Sequence, residues 1–124
     1  MTAHLELYKC EICGNIVQVM KAGFGELVCC GKPMTSIKAH LPAEELKEKH
    51  VPVYAEENKI QVGSVIHPMT KEHHIEFIQV VSEDNSHVET KFLKPETAPE
   101  MIAGENPKPQ NVYEYCNLHG LWRN

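Results

Sequence analysis

Short runs of β-branched and aromatic residues recur along the chain, separated by polar or glycine-containing turns, and each run predicts a strand. No segment sustains the 3.6-residue repeat of an amphipathic helix, so the pattern favours an all-β protein with antiparallel strands. The predicted strands are residues 5–7, 16–19, 27–28, 51–54, 60–65, 75–81, 88–93 and 112–115.

The strand pattern divides the chain into two predicted domains, residues 1–37 and residues 38–124. A segment of about 37 residues cannot bury a core that is stable alone, so the first domain needs a metal or a partner. The second domain begins with a linker, residues 39–49, that contains one predicted helical turn after its proline. A proline-rich segment, residues 94–111, predicts a long surface loop with at most one short edge strand near Met101.

Composition and charge narrow the classes of partner. The chain has 124 residues, with 12 lysines and arginines against 17 aspartates and glutamates, and its formal net charge is -5. Because there is no basic tract, we expect no nucleic-acid partner. The longest apolar runs are only a few residues, so we expect no membrane partner either. The first residues lack the charged and apolar regions of a secretory signal, and we therefore expect a cytoplasmic protein.

Cysteine and histidine are the most informative residues. The chain has five cysteines and eight histidines, and four of the cysteines fall within the first 30 residues. A secreted disulfide scaffold would spread an even number of cysteines along the chain. In a reducing cytoplasm, free thiols with this clustering are more often metal ligands than disulfide partners. We therefore expect the four clustered cysteines to bind a metal ion.

The cysteine spacing predicts a tetrathiolate site. Cys10 and Cys13 form a metal-binding knuckle with a glycine after it, and the adjacent pair Cys29 and Cys30 supplies the other two ligands. Four thiolates suit either zinc or a single iron, and the adjacent pair should distort the tetrahedron. The pattern C-x2-C-x15-C-C is similar to that of desulforedoxin, a small iron protein, and this resemblance favours iron.

A second group of candidate ligands is spread along the larger domain. Cys116-x-x-His119-Gly120 is a tight turn that can direct a thiolate and an imidazole at one ion. Other histidines lie at predicted strand ends or turns, where functional residues collect on a β scaffold. An isolated histidine is a weak signal for a metal site, but several histidines together with a thiol indicate a second one. These other histidines are His50, His67, His73 and His74.

Several segments of the chain resemble desulfoferrodoxin, the two-iron class of superoxide reductase. The matching segments are Glu48-Lys49-His50-Val51-Pro52, His67-Pro68-Met69, Lys91-Phe92-Leu93-Lys94-Pro95 and Cys116-Asn117-Leu118-His119-Gly120. With the desulforedoxin-like first segment, the resemblance covers nearly the whole chain. It implies a small desulforedoxin-like metal-bound β domain at residues 1–37, followed by an immunoglobulin-like antiparallel β-sandwich at residues 38–124.

The resemblance also implies two mononuclear iron ions per chain and their ligands. The first iron would have four thiolate ligands: Cys10, Cys13, Cys29 and Cys30. The second would have a plane of four imidazoles and an axial thiolate: His50, His67, His73 and His119, with Cys116. His74 is an alternative to His73, but the six-residue step from His67 in the family motif selects His73. The remaining histidines match no motif, and we expect His4, His40 and His87 to be solvated surface residues.

The implied activity is superoxide detoxification, by one-electron reduction of superoxide to hydrogen peroxide at a ferrous centre with an open position opposite the sulfur. Lys49 would place positive charge near that position, attract superoxide and orient water for proton transfer. Glu48 would close the position after oxidation. From the residues alone, the alternative is that Glu48 and Lys49 are solvated loop charges.

The resemblance further implies a rubredoxin-like electron donor, a role linked to electron transport, and a homodimer. Two functions without catalysis remain open from the residues alone, namely a rubredoxin-like electron carrier and a zinc-ribbon adaptor. Dismutation is a third alternative, and it differs by releasing dioxygen without a donor.

Overall fold

The computed structural model describes residues 1–41, 52–54, 59–63, 67–103 and 111–124, which form strands, turns and irregular segments without a helix. Among these residues, we find no helix with the length and hydrophobicity that a membrane crossing requires. The chain divides into two compact units, Met1–Lys38 and Ala39–Asn124. The predicted helical turn in the linker, and the site candidates Glu48, Lys49 and His50, lie outside the described residues.

The first unit contains five short strands in two antiparallel sheets. The three-stranded sheet has the order β2-β1-β5, and β3 pairs with β4. The strands are β1 (Leu7–Lys9), β2 (Ile16–Gln18), β3 (Val28–Cys29), β4 (Lys32–Pro33) and β5 (Thr35–Ser36). Since none exceeds three residues, backbone pairing alone gives this unit little stability.

The first unit also has a very small core. Among its described residues, the buried apolar side chains are those of Leu7, Cys10 and Val19. Large apolar side chains such as Met20 and Phe24 remain exposed. At roughly 25 cal/mol per Å² of buried apolar surface, three side chains cannot offset the conformational entropy of the unit. The unit therefore needs a further source of stability.

The described residues of the second unit form seven strands in two antiparallel sheets. One sheet has the order β10-β7-β6, and the other has the order β12-β11-β8-β9. The strands are β6 (Pro52–Tyr54), β7 (Lys59–Val62), β8 (Ile75–Val81), β9 (Val88–Phe92), β10 (Glu100–Ile102), β11 (Asn111–Cys116) and β12 (Gly120–Arg123).

The two sheets of the second unit pack face to face around one apolar core. Ile60 and Val62 of β7 lie in the same buried cluster as Ile78 and Val80 of β8, and Val112 of β11 joins them. Alternate residues of each strand supply these side chains, as expected for a strand with one face toward the core. The predicted all-β fold class, a small β domain followed by an antiparallel sandwich, is therefore confirmed.

Each predicted strand overlaps a strand of the structure, but the bounds differ. The strand predicted for residues 5–7 begins only at Leu7, because Leu5 lies in a turn with a φ of +67°. The edge strand near Met101 is confirmed, because β10 pairs with β7 at the edge of its sheet. The strand predicted for residues 60–65 ends at Val62, and residues 64–66 lie outside the described part of the chain. Strand β12 was not predicted, and neither were the two-residue strands β4 and β5.

The prediction for His40 is wrong. His40 forms a parallel bridge with Trp122, and its ring lies 4.6 Å from the Trp122 ring between centroids. The side chain is half-buried, because this contact places it against strand β12. His4 and His87 are exposed, as the sequence analysis predicts.

Candidate metal centres

The first cysteine pair lies in a tight turn that follows β1. The backbone N–H of Cys13 donates to Sγ of Cys10 across 3.4 Å. Gly14 then donates its N–H to the Cys10 carbonyl across 2.9 Å, with a φ of +84° that favours glycine. The turn therefore folds back on Cys10 and directs backbone N–H groups toward sulfur, as in a metal-binding knuckle.

The adjacent cysteine pair lies in the hairpin between β3 and β4. Cys29 is the last residue of β3, and the two-residue loop Cys30-Gly31 has φ values of +54° and +75°. Two central residues with positive φ are the signature of a type I′ turn. The side chains of consecutive residues in a regular strand point to opposite faces. Here the chain reverses direction at Cys30, and the sulfurs of Cys29 and Cys30 lie 4.0 Å apart.

The four thiols form one compact group, here called the tetrathiol cluster: Cys10, Cys13, Cys29 and Cys30. All four sulfurs lie within 4.8 Å of one another, and the Cys13 and Cys29 sulfurs are 3.6 Å apart. With metal–sulfur bonds near 2.3 Å, the sulfurs of a regular tetrathiolate site lie about 3.8 Å apart. The tetrathiol cluster therefore fits a single metal ion.

The thiols of the tetrathiol cluster differ in acidity. The N–H of Cys13 stabilises the Cys10 thiolate and lowers the pKa of Cys10 to about 6. Hydrogen bonds with Cys13, which have the larger effect, and with Cys10 raise the pKa of Cys30 to about 12. Hydrogen bonds with the same two residues also raise the pKa of Cys29. Without a cation the cluster thus retains protons, which a bound metal ion would displace.

The second unit also brings four candidate ligands together, here called the His/Cys cluster: His67, His73, Cys116 and His119. His67 and His73 lie on the segment between β7 and β8, Cys116 ends β11, and His119 lies in the turn before β12. One ligand atom from each residue lies within 4.8 Å of the others. The ring centroid of His73 is 4.6 Å from that of His67 and 5.0 Å from that of His119, both edge to face.

The orientation of the His67 ring is fixed by the backbone. Its Nδ1 lies 2.6 Å from the Pro68 carbonyl oxygen, which can only accept, so Nδ1 carries the proton. The buried Nε2 then presents its lone pair, as a histidine ligand must. In His119 the other nitrogen is directed at the cluster, because its Nδ1 lies 3.8 Å from Sγ of Cys116.

A hydrogen-bonded turn holds His73. Thr70 donates its N–H to the His73 carbonyl across 2.9 Å, and the His73 N–H donates to the Thr70 hydroxyl across 3.1 Å. His74 is not in the His/Cys cluster. Its backbone instead forms hydrogen bonds with Asn117, at 2.9 and 3.2 Å. The structure thus brings His73, rather than His74, next to the other ligands.

Cys116 is completely buried at the start of the turn between β11 and β12. Burial raises the pKa of the Cys116 thiol, while N–H groups of His119 and Leu118 donate to the sulfur and act in the opposite direction. Trp122 donates its indole N–H to the His119 carbonyl across 3.1 Å. This bond holds the backbone of His119, from which the imidazole projects.

Two buried residues near Cys116 were missed by the sequence analysis. Glu114 is completely buried, and burial raises its pKa well above the usual range for a carboxyl group. Its position two residues before Cys116 in a strand is a signal that could have found it, since alternate residues share a face. Tyr115, on the opposite face, stacks on Phe77 with the rings 5.6 Å apart and nearly parallel.

The described ligands of the His/Cys cluster suit a first-row transition metal. Three imidazoles and one thiolate provide nitrogen and sulfur without a hard oxygen ligand, which disfavours magnesium and calcium. With metal–nitrogen bonds near 2.1 Å, nitrogens on opposite sides of one ion lie about 4.2 Å apart. That separation is within the observed 4.8 Å limit, so one ion fits. His50, the fourth predicted imidazole, lies outside the described residues.

Two family models match the chain and together span nearly all of it. The model described as "Desulfoferrodoxin, N-terminal domain" matches residues 2–37, and the model described as "Desulfoferrodoxin" matches residues 34–124. The first match contains the tetrathiol cluster, and the second contains the His/Cys cluster.

Curated relatives match the chain over nearly their whole length. The chain is 48% identical to the desulfoferrodoxin of Nitratidesulfovibrio vulgaris, across 99% of this chain and 98% of the relative. It is 46% identical to the desulfoferrodoxin of Syntrophotalea carbinolica, across 98% of this chain and 97% of the relative.

A solved structure supports the fold. The superoxide reductase from Treponema pallidum is 27% identical, with a TM-score of 0.73, and the match covers 100% of this chain and 99% of that one. The structural match therefore includes both units, each with its own candidate metal centre. With both family models and its full-length relatives in agreement, the chain belongs to the desulfoferrodoxin family.

Proposed function

We infer that the chain is a superoxide reductase, an oxidoreductase with two mononuclear iron centres. In the reaction, each superoxide takes up one electron and two protons and leaves as one hydrogen peroxide. The observation that carries this function is the His/Cys cluster, in which one ligand atom from each of three imidazoles and a thiol lies within 4.8 Å of the others. The Treponema pallidum superoxide reductase, which matches the whole chain in fold, supports the same reaction.

In this proposal the two clusters are the two iron sites. The tetrathiol cluster holds one iron through four sulfurs, and the His/Cys cluster holds the other together with His50. The short sulfur–sulfur distances support the first assignment, and the mixed nitrogen and sulfur ligands support the second. His50 enters through the resemblance of its segment to the family motif. We also propose the predicted domain limits, residues 1–37 and 38–124, as the boundaries of the two iron domains.

When bound, the iron of the His/Cys cluster supplies the electron for superoxide reduction. The protein groups set the conditions for that transfer. Neutral imidazoles leave the charge of the centre to the metal and to the Cys116 thiolate. Because Cys116 is completely buried, its sulfur would bind the metal without competition from water. The N–H groups of Leu118 and His119 withdraw charge from that sulfur through hydrogen bonds.

Glu48 and Lys49 are proposed to act beside the second iron site. Lys49 attracts the superoxide anion to a protein of net negative charge and orients water that delivers protons. Glu48 would supply a carboxylate as a further ligand once the bound iron is oxidised. Both roles come from the position of these residues next to His50 in the family motif.

The electron consumed in each turnover requires a donor, and we propose a small redox protein of the rubredoxin type. We also propose a homodimer in the cytoplasm. Exposed apolar side chains on the first unit, among them Met20 and Phe24, support self-association, since that unit has a small core of its own. Sedimentation of the full chain tests this part, with twice the mass of one chain as the expected result.

The function is tested by giving the reduced full-length protein a pulse of superoxide. We expect one hydrogen peroxide per superoxide consumed, one electron lost from the protein, and no dioxygen released. Release of one dioxygen for every two superoxides would instead identify a dismutase. An unchanged decay of superoxide would identify an electron carrier or a structural metal protein.

A further inference from the structure

Asn117 lies where the two ligand-bearing segments of the His/Cys cluster meet. It follows Cys116 in the chain, and it forms three hydrogen bonds with the segment that carries His73. The His74 N–H donates to Asn117 Oδ1 across 2.9 Å, and Asn117 Nδ2 donates to the Glu72 carbonyl across 2.9 Å. The Asn117 N–H donates to the His74 carbonyl across 3.2 Å.

The side-chain amide of Asn117 brackets His73. Its nitrogen bonds the carbonyl of the residue before His73, and its oxygen bonds the N–H of the residue after it. An amide is planar, so the separation between its donor and its acceptor is fixed. Both peptide groups that flank His73 are thereby held by one rigid group, which restricts the backbone from which the His73 ring projects.

The same side chain extends the sheet where the β11 backbone turns away. In a regular antiparallel pair, two opposite residues exchange both N–H···O bonds through their backbones. Cys116 pairs with Ile75, and at the next pair the Asn117 backbone donates to His74. The return bond from His74 goes to Asn117 Oδ1 instead of a backbone carbonyl. The backbone after Asn117 is therefore released into the turn that leads to His119.

We propose that Asn117 is a positioning residue of the second iron site, holding His73 in register with Cys116 and His119. The proposal rests on the ligand assignment made above. A general role in stabilising the sandwich predicts loss of stability alone. A positioning role predicts a change in the electronic environment and the iron affinity of this one site.

Three variants of the full chain separate these roles. Asn117→Ala removes both side-chain bonds, whereas Asn117→Asp keeps the acceptor for the His74 N–H and loses the donor to Glu72. Asn111→Ala is the matched control, because it removes a side-chain bond to Arg123 at the opposite end of the same strand. The measurements are iron content, resistance to a chelator, the visible spectrum of the oxidised protein, and exchange of the His74 amide in metal-free protein.

We expect Asn117→Ala to keep the iron of the tetrathiol cluster and its absorption. It should bind the second iron roughly 10–100-fold more weakly, shift the absorption of that site, and exchange the His74 amide faster. Asn117→Asp should keep the His74 amide protected and give an intermediate shift of the second-site absorption. If the alanine variant does not fold, this variant is used for the test. The control, Asn111→Ala, should match the wild type in iron content, chelator resistance and visible spectrum.

Equal chelator resistance and an unshifted second absorption in both Asn117 variants would overturn the proposal while leaving the function intact. An equal shift in Asn111→Ala would overturn it as well, because the effect would then reflect stability alone. If the wild type itself bound no second iron, both the ligand assignment and the role of Asn117 would be wrong.

Discussion

The two candidate metal centres are built in different ways. The tetrathiol cluster draws its ligands from two tight turns close together in the sequence, on strands of two or three residues, and two of its four cysteines are exposed. The ligands of the His/Cys cluster lie far apart in the sequence, and Cys116 and His67 are buried at the end of a packed sandwich. One centre is assembled by local turns, and the other by tertiary packing.

This difference indicates that metal and fold support each other differently in the two units. In the first unit the buried apolar side chains are few, so metal–sulfur bonds supply stability that the core does not. In the second unit a continuous apolar core lies beneath the ligands. We therefore expect this fold to persist, and to keep the ligands together, when no metal is bound. We therefore expect a bound metal to stabilise the fold of the first unit and to take part in the reaction in the second.

Removal of both irons with a strong chelator should have the largest effect. We expect the amides of β1 and β2 to lose their protection against hydrogen exchange, because thiols alone do not hold that unit together. The amides of β8 and β11 should remain protected by the sandwich core. Equal loss of protection in both units, or in neither, would contradict the contrast between them.

Single ligand replacements should separate the two centres. Cys116→Ser should remove the sulfur-to-iron absorption of the His/Cys cluster and abolish superoxide reduction, while the absorption of the tetrathiol cluster remains. Cys13→Ser is the matched replacement in the first unit, and it should have the opposite spectral effect. Iron analysis and visible spectra of the oxidised variants check this, and survival of both absorption components in Cys116→Ser would show that the site assignment is wrong.

The type I′ hairpin of the tetrathiol cluster can be tested at Gly31. Gly31→Ala adds a methyl group into open space at a φ of +75°, so the expected cost of about 1 kcal/mol is conformational. Gly25→Ala is the control, because it also adds a methyl group into open space but does not have a positive φ. We expect Gly31→Ala to lose iron to a chelator faster than the control, with the His/Cys cluster unaffected.

The smallest expected effect on a metal centre is at Trp122. Trp122→Phe keeps an aromatic ring against His40 but removes the N–H donated to the His119 carbonyl. The lost hydrogen bond costs about 1 kcal/mol, and the smaller buried ring also loses packing contacts, so denaturant titration should show a lower free energy of unfolding. We also expect a small shift in the absorption of the His/Cys cluster. Tyr113→Phe, on the adjacent strand, is the control and should leave that absorption unchanged.

Much of the fold follows from local sequence signals. Strand β8 contains a run of apolar and β-branched residues, and it is buried along most of its length, as such a run predicts. Strand β12 gave no comparable signal, because Gly120–Arg123 is short and is held by pairing with β11 and by the bridge to His40. The same strand explains the error at His40, whose contact with Trp122 joins residues far apart in the sequence.

The candidate ligands were also visible in the sequence, whereas the groups that hold them were not. Spacing identified the tetrathiol cluster, because its ligands lie in two local turns. The motif around Cys116 identified a thiol and an imidazole but not the bonds from Asn117 to Glu72 and His74. Those bonds depend on where two distant segments of the chain meet, and no local sequence pattern predicts that meeting point.

The most direct test of the central claim is a crystal structure of the iron-loaded chain with anomalous scattering measured at the iron edge. We expect two iron peaks per chain. One should lie about 2.3 Å from the four sulfurs of the tetrathiol cluster, and the other about 2.1 Å from nitrogens of His67, His73 and His119, with the Cys116 sulfur also bound. A single peak, or a second peak bound by His74 in place of His73, would contradict the account.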